Sequence, residues 1–152
     1  MKRIMLLGIL LLTVNCWANA PASMQLFKTT IQVSGDLSID KLRMQNLTVV
    51  KEAVIGIKKT LPQKVDAYTQ MVDVDSHGTE LIYTFEINAG PKSDATLKVD
   101  GQTRMAPVIR RGICKDSKRF LQSDIIITYR YLNKTTQNEI LKITMDKKAC
   151  GL

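Results

Sequence analysis

Two cysteines, Cys114 and Cys150, constrain the fold of this chain more than any other feature of its sequence. Between them lie two alternating apolar runs, residues 125–132 and 140–145, joined by the polar segment 133–138. Alternation of this kind predicts a β-hairpin. A bond between the cysteines would fasten the hairpin to the end of the preceding helix. Closing a loop of 36 residues in this way would stabilise the fold by about 4 kcal/mol.

The N-terminus has the pattern of a secretory signal peptide. Lys2 and Arg3 precede an uncharged apolar run over residues 4–14, which is too short to cross a bilayer as a helix. Small residues follow, and we place the cleavage after Ala22, with Ala18 as the second choice. The sequence therefore predicts an exported protein, either periplasmic or secreted.

Cys16, just after the apolar run, is the alternative N-terminal residue of the mature protein, as a lipidation site. A cysteine in this position becomes the lipidated first residue of a lipoprotein when Gly, Ala or Ser precedes it, but here Asn15 does. Removal of Cys16 with the signal peptide leaves Cys114 and Cys150, an even number that indicates a disulfide in an oxidising compartment. Free thiols or metal ligands are the alternative, although the chain has one histidine and no CxxC pair.

The first half of the remaining chain carries a helix pattern and then strand patterns. Apolar side chains three or four residues apart predict an amphipathic helix over residues 42–61, which Pro62 must end. Two alternating runs, residues 68–74 and 81–87, predict a hairpin with Gly78 in its turn. The buried face of the sheet is expected to carry Leu81, Tyr83, Phe85 and Ile87, and in the second hairpin Ile125, Ile127, Tyr129 and Tyr131.

The same order of elements returns in the second half. Glycine, proline and polar residues over 88–103 predict an exposed connection, with a short edge strand as the alternative for part of it. A helix is predicted over residues 105–114. Together the patterns predict one α+β domain over residues 46–152, after a signal peptide over 1–22 and an arm or strand over 23–45. Its order is α-β-β-α-β-β, with a four-stranded antiparallel sheet, two helices packed on one face, and one disulfide.

The sequence offers no candidate catalytic residue, metal site or cofactor site. His77 is the one histidine, and its place beside Gly78 in a predicted turn is typical of an exposed turn residue rather than a general base. The acidic residues Asp73, Asp75 and Glu80 lack the spacing of a calcium-binding loop. No nucleophile elbow, phosphate-binding loop or HExxH motif occurs. We therefore predict that the protein is not an enzyme and has no cofactor.

Charge points to one candidate binding surface. The net charge is +8, and removal of Lys2 and Arg3 with the signal peptide would leave +6, from 20 basic and 14 acidic residues. This positive excess favours approach to anionic partners such as lipid headgroups, polysaccharide or an acidic protein. Nucleic acid is excluded, because the protein is exported and no basic stripe is interleaved with stacking aromatic residues. Six basic residues fall on or beside one side of the second predicted helix and form a candidate docking patch for an anionic partner, which we call the basic patch: Arg104, Arg110, Arg111, Lys115, Lys118 and Arg119. A solvated helix face is the alternative interpretation.

Several short stretches carry a likeness to a known family. They are Thr60-Leu61-Pro62, Tyr68-Thr69, Gly78, Cys114-Lys115-Asp116, Ile127-Thr128-Tyr129 and Asp146-Lys147-Lys148-Ala149-Cys150-Gly151. From about Lys51 onward the chain resembles the α/β class of type II secretion pilotins, small periplasmic lipoproteins that escort the outer-membrane secretin. It is also similar, more loosely, to exported proteins grouped as quorum-sensing-regulated virulence factors, which share a Leu-Pro, a Tyr-rich strand and two late cysteines.

The likeness to pilotins implies a binding protein with a groove for a short helix from the C-terminal end of the secretin. The implied partner is a protein of the cell envelope, and membrane contact is expected only if Cys16 is lipidated. Asn15 departs from the lipidation motif on which a pilotin depends. The alternative function is therefore that of a secreted effector or inhibitor, which acts outside the cell without a lipid anchor.

Overall fold

The computed structural model describes residues 38–152 of the chain. The predicted signal peptide, Cys16 and residues 23–37 of the predicted arm lie outside this part. Within residues 38–152, no helix combines the length and the apolar character needed to cross a membrane. The first described element is the helix α1, which spans Ile39–Lys58.

One side of α1 is buried. Its buried residues lie three or four positions apart, as in an amphipathic helix: Asn46, Val50, Ala53 and Ile57. Leu47 and Val54, which the sequence pattern placed within this stripe, are half-buried at its edge. The helix ends before Pro62, as predicted, because the residue before a proline avoids helical geometry.

Within the described residues, five strands form one sheet in the order of the chain: β1 Gln63–Lys64, β2 Thr69–His77, β3 Glu80–Ile87, β4 Ile126–Asn133 and β5 Glu139–Met145. The prediction of four strands is wrong, because the two-residue strand β1 pairs with β2 at the edge of the sheet. A strand of two residues is too short to show alternation, so the sequence pattern contained no signal for it.

Both predicted hairpins are present, but the sheet is not antiparallel throughout. The central strands β3 and β4 run parallel, and Leu81 pairs with Ile127 in their register. The helical connection between these strands carries the chain back to the end of the sheet where β3 began, so β4 runs beside β3 in the same direction. The prediction of an antiparallel sheet is therefore wrong at its central pair.

The prediction of an exposed connection holds for residues 88–93 but is wrong for residues 94–103. The helix α2 spans Asp94–Asp100, and a π-helical turn, Gly101–Met105, joins it to α3, Ala106–Asp116. These three segments form one helical run. With α1 and the short α4, Lys118–Gln122, residues 38–152 therefore contain three helices where two were predicted.

The helix α2 begins at a serine cap, but two features further along hid it from the sequence pattern, the π-helical turn and Gly101. Ser93 caps the helix, and its Oγ accepts a hydrogen bond from the Thr96 N–H at 3.3 Å. The π-helical turn then interrupts the 3.6-residue period. Gly101 suggested a loop, but it is buried, and a Cβ placed on it would lie 3.5 Å from the Cβ of Leu141. This glycine marks close packing on β5 rather than a turn.

The helices pack against one face of the sheet. α1 contacts β2 and β3, α3 contacts β5, and α4 contacts β4. The covered face carries the predicted alternating residues of β3 and β4, and its fully buried members include Leu81 and Ile127. On the opposite face Arg130, Lys142 and Thr144 are exposed, whereas Thr128 of β4 is fully buried there. The core of the domain therefore lies between the sheet and the helical layer.

The predicted disulfide is confirmed. Cys114, near the end of α3, is bonded to Cys150 beyond β5, and their Cα atoms lie 5.4 Å apart. The closed loop contains α4, β4 and β5. The C-terminal segment is therefore held to α3 by a covalent bond as well as by the packing of α3 on β5.

Asp94, in the first turn of α2, holds the turn between β4 and β5. Its carboxylate accepts hydrogen bonds from the Nδ2 atoms of Asn133 and Asn138, at 2.6 and 2.7 Å, and from Thr136 Oγ1 at 3.0 Å. These donors, Asn138 first, hold the pKa of the Asp94 carboxyl below its ordinary value. The folded protein therefore favours the charged form of this side chain.

We expect Asp94→Asn to lower the urea midpoint of unfolding at pH 7, because an amide group replaces an acceptor oxygen where several donors converge. The lowered pKa means that the stabilising contribution is complete above the unfolded-state value of about 3.9 and is lost as the pH falls through the folded-state value. The difference between the urea midpoints of wild type and variant should therefore become smaller below about pH 4. Asp124→Asn, at an exposed carboxylate before β4, is the control. An equal pH dependence in both variants would contradict the role assigned to Asp94.

Candidate functional site

The acidic and histidine side chains considered in the sequence lie at the β2–β3 hairpin. His77 is exposed and pairs across the hairpin with Glu80. Asp73 forms a salt bridge of 3.7 Å with Lys58 of α1, and Asp75 is exposed. In the part of the chain that the structure describes, no group of three or more His, Cys, Asp or Glu residues is arranged to hold a metal ion.

Four aromatic side chains of β3 and β4 form a line on the helix-covered face, which we call the aromatic row: Tyr83, Phe85, Tyr129 and Tyr131. The ring centroids of Tyr83 and Tyr129 lie 5.2 Å apart, and those of Phe85 and Tyr131 lie 4.8 Å apart in a stacked arrangement. The parallel register creates this line, because it pairs Tyr83 with Tyr129 and Phe85 with Tyr131. Aromatic pairs at these distances attract each other beyond the effect of burial alone.

The aromatic row lies between two helices. α1 packs on β2 and β3, and α3 packs on β5, without extensive contact between α1 and α3. Tyr83 and Tyr129 are only half-buried, whereas Leu81 and Ile127, two residues earlier on the same face, are 0% exposed. Tyr83 and Tyr129 are therefore partly exposed to solvent on this face, whereas Phe85 and Tyr131 are buried.

The tyrosines of the aromatic row are held in their neutral form. Burial raises the pKa of Tyr129 to about 12, and the nearby Asp116 carboxylate adds to this effect. Burial likewise raises the pKa of Tyr83 and of Tyr131, each with a further contribution from Tyr129, and Asp66 adds to that of Tyr131. At neutral pH the row is an uncharged surface of aromatic rings, with an acidic residue near each end of its β4 side.

The basic patch lies on the helical run and on α4. Arg104 is in the π-helical turn, and all six members of the patch are exposed. The buried residues of α3 and α4 follow a helical spacing through the junction: Ala106, Ile113, Ser117 and Leu121. Arg111 and Lys115 fall on the opposite side, together with Val108, which is 60% exposed. The structure therefore directs these cations away from the sheet.

The described salt bridges leave the basic patch free of carboxylates. They join Lys58 to Asp73, Lys92 to Asp100, and Arg130 to Glu139. The pKa of the Asp100 carboxyl is lowered mainly by Lys92, which lies outside the patch, and to a smaller degree by Arg104. Residues 101–119 contain one acid, Asp116. The patch is an exposed cationic helix face about 20 Å long.

Sequence reasoning found the members of the basic patch but missed the aromatic row as a site. It assigned all four aromatic residues to a buried face, and two of them remain accessible. The available signal was the recurrence of aromatic residues two positions apart in both strands, Tyr83 with Phe85 and Tyr129 with Tyr131. Strand alternation places such residues on one face, but it does not show which strands are neighbours.

Three solved structures share this fold. A Pseudomonas aeruginosa protein inferred to be secreted matches with a TM-score of 0.61 and 12% identity, over 76% of this chain and 99% of its own. EpsS, the pilotin of the Vibrio vulnificus type 2 secretion system, matches with a TM-score of 0.57 and 12% identity, over 73% of this chain and 96% of its own. AspS, the type II secretion system pilotin of Vibrio cholerae, matches with a TM-score of 0.53 and 12% identity, over 73% and 97%.

These matches confirm the resemblance to pilotins at the level of the fold. No family model matches the chain, and no curated protein matches it in sequence. The described residues therefore share their α+β fold with two type II secretion pilotins and with the Pseudomonas aeruginosa protein, at 12% sequence identity to each.

Proposed function

We propose that this protein is an exported binding or escort protein of pilotin type, not an enzyme. It binds a short helical segment of an envelope protein, the C-terminal end of a secretin. The observation that carries the proposal is the aromatic row on the helix-covered face, with Tyr83 and Tyr129 partly exposed, within a fold shared with two pilotins. Secretin binding itself comes from the likeness to pilotins.

The chemistry of the aromatic row indicates what its partner should carry. Tyrosine and phenylalanine offer large apolar contact area at a small entropic cost, and such residues dominate binding energy at interfaces. A helix that docks here would insert apolar side chains spaced three or four residues apart between α1 and α3. Asp66 and Asp116, near Tyr131 and Tyr129, would favour basic residues towards the ends of that helix.

We expect Tyr83→Ala to weaken binding of a labelled peptide from the secretin C-terminus by about 30-fold, since truncation of a central aromatic contact costs 2 kcal/mol or more. Fluorescence anisotropy titration measures the affinity. Tyr68→Ala removes the same side chain at a position that is 70% exposed and outside the row, so its affinity should stay within about twofold of wild type. Equal losses in the two variants, or no binding by the wild type, would count against the proposal.

The alternative is a secreted protein that acts outside the cell. Asn15 before Cys16 favours it, as does the fold shared with the Pseudomonas aeruginosa protein. Mass spectrometry of the N-terminus of the exported protein separates the two functions. A diacylated Cys16 supports the pilotin-type escort, whereas an N-terminus at Ser23 or Asn19 supports the secreted protein.

A further inference from the structure

The basic patch carries six positive charges, and few acidic residues lie near it in the sequence. Six exposed cations share residues 101–119 with one acid, Asp116, and no described salt bridge includes any of them. Residues 1–37 also contain a single acid, Asp36. No carboxylate of the described residues forms a salt bridge with the patch, and only Arg104 lies near enough to Asp100 to lower its pKa. Most of the charge of the patch is therefore available to a partner from outside the chain.

Two exposed valines lie on the same helical run as these basic residues. Val108 is 60% exposed and lies on the same side of α3 as Arg111 and Lys115. Val99 of α2, in the same helical run, is 63% exposed. A helix face that presents basic residues together with exposed apolar ones is typical of a helix that lies in the interface of a membrane.

The disulfide adds two lysines at the end of the patch. Lys147 and Lys148 lie within three residues of Cys150, whose Cα atom is 5.4 Å from that of Cys114. Lys115 follows Cys114 directly in α3. Both added lysines are exposed and take part in no described salt bridge. The covalent link therefore places these lysines near the C-terminal end of α3, on a surface they share with Asp124 and Asp146.

We propose that the outer face of α3 and α4, with the adjacent C-terminal lysines, binds the surface of an anionic phospholipid bilayer. The face follows an extended helix whose cations point outward, which suits a surface of many headgroups. It lacks the aromatic residues on which nucleic-acid bases would stack. It also lies on the side of α3 opposite to the sheet, so this contact goes beyond the proposed function and leaves the aromatic row accessible. The contact does not require lipidation of Cys16.

The test measures partitioning of the exported, purified protein onto two kinds of vesicle, phosphatidylcholine alone and phosphatidylcholine with phosphatidylglycerol. The ratio of the two partition coefficients is the readout, because any contribution of the processed N-terminus is common to both vesicles. A basic residue near an anionic surface contributes about fivefold to partitioning. We expect Arg111→Gln with Lys115→Gln to lower the ratio about 25-fold, and the two charge reversals to glutamate to lower it further.

Lys51→Glu with Lys142→Glu is the matched control, because both lysines are exposed, lie on α1 and β5, and form no described salt bridge. This pair should change the ratio by no more than about twofold. Added salt should lower the ratio for the wild type, since it screens exposed charges. A wild-type ratio near one, or an equal loss in the control, would overturn the proposal.

Binding to heparin, a soluble polyanion, tests the main alternative to a membrane partner, which is an anionic polysaccharide. If the Arg111 and Lys115 variants lose binding to heparin but keep the wild-type vesicle ratio, the patch binds polysaccharide and the membrane proposal is overturned. If the double substitution of Arg111 and Lys115 to glutamate changes the thermal unfolding of the protein, the double substitution to glutamine is used instead. The glutamine variant only removes charge at exposed positions. The vesicle assay contains no secretin peptide, so its failure leaves the proposal for the aromatic row untouched.

Discussion

Replacing Cys114 and Cys150 together by alanine is expected to lower the free energy of unfolding by about 4 kcal/mol. The bond closes a loop of 36 residues, and without it the unfolded chain regains the conformational freedom that loop closure removes. Single domains of this size unfold with free energies of about 5–15 kcal/mol, so the loss would be a large fraction of the total. Urea denaturation under non-reducing conditions measures it.

The same experiment shows where the effect arises. If the disulfide acts through the unfolded state, the variant should unfold with a steeper dependence on urea, because its unfolded chain exposes more surface. Wild type kept in reductant is the matched control and should behave like the variant. A loss below about 1 kcal/mol would contradict the loop-closure argument. Two free thiols in the exported protein would contradict the bond itself.

Ile127→Ala is expected to cost about 3–4 kcal/mol, within the range for large core residues truncated to alanine. Ile127 is 0% exposed on β4, where it pairs with Leu81 of β3 and with Met145 of β5. Its replacement leaves a cavity between the central strands and the helical layer. Urea denaturation of the variant measures the change in the free energy of unfolding.

Ile126→Ala is the matched control, with the same chemical change one residue earlier on the same strand. Ile126 is half-buried on the opposite face of the sheet, so its truncation should cost only about 1 kcal/mol. Equal costs at the two positions would show that β4 presents both faces to similar surroundings. That result would contradict the placement of the helices on a single face.

Much of the local structure could be predicted from short-range patterns. The alternation in residues 81–87 predicted the buried face of β3, and the three-and-four spacing before Pro62 predicted α1. Both signals work because a strand or helix buries one side, so its composition follows the period of its own geometry. The even number of cysteines after signal-peptide removal predicted the disulfide, which the structure confirms.

The sequence-based predictions failed for features that depend on contacts between segments far apart in the chain. Residues 88–103 contain glycines and a proline typical of loops, yet part of this stretch folds as α2, and the helical run that begins there packs on β5. The strand β1 is too short to show a period. The aromatic row depends on the pairing of β3 with β4, although these strands are separated by the whole helical connection.

The prediction of export, the places of the two hairpins, the disulfide between Cys114 and Cys150 and the excess of positive charge come from the order of residues alone, because each depends on neighbouring residues or on a count. The direction in which β4 meets β3, and with it the aromatic row between α1 and α3, was decided only by the tertiary structure. Period-two alternation states which side chains are buried but is the same for parallel and antiparallel neighbours. The path of the helical connection settled that choice, and the candidate binding surface arose from it.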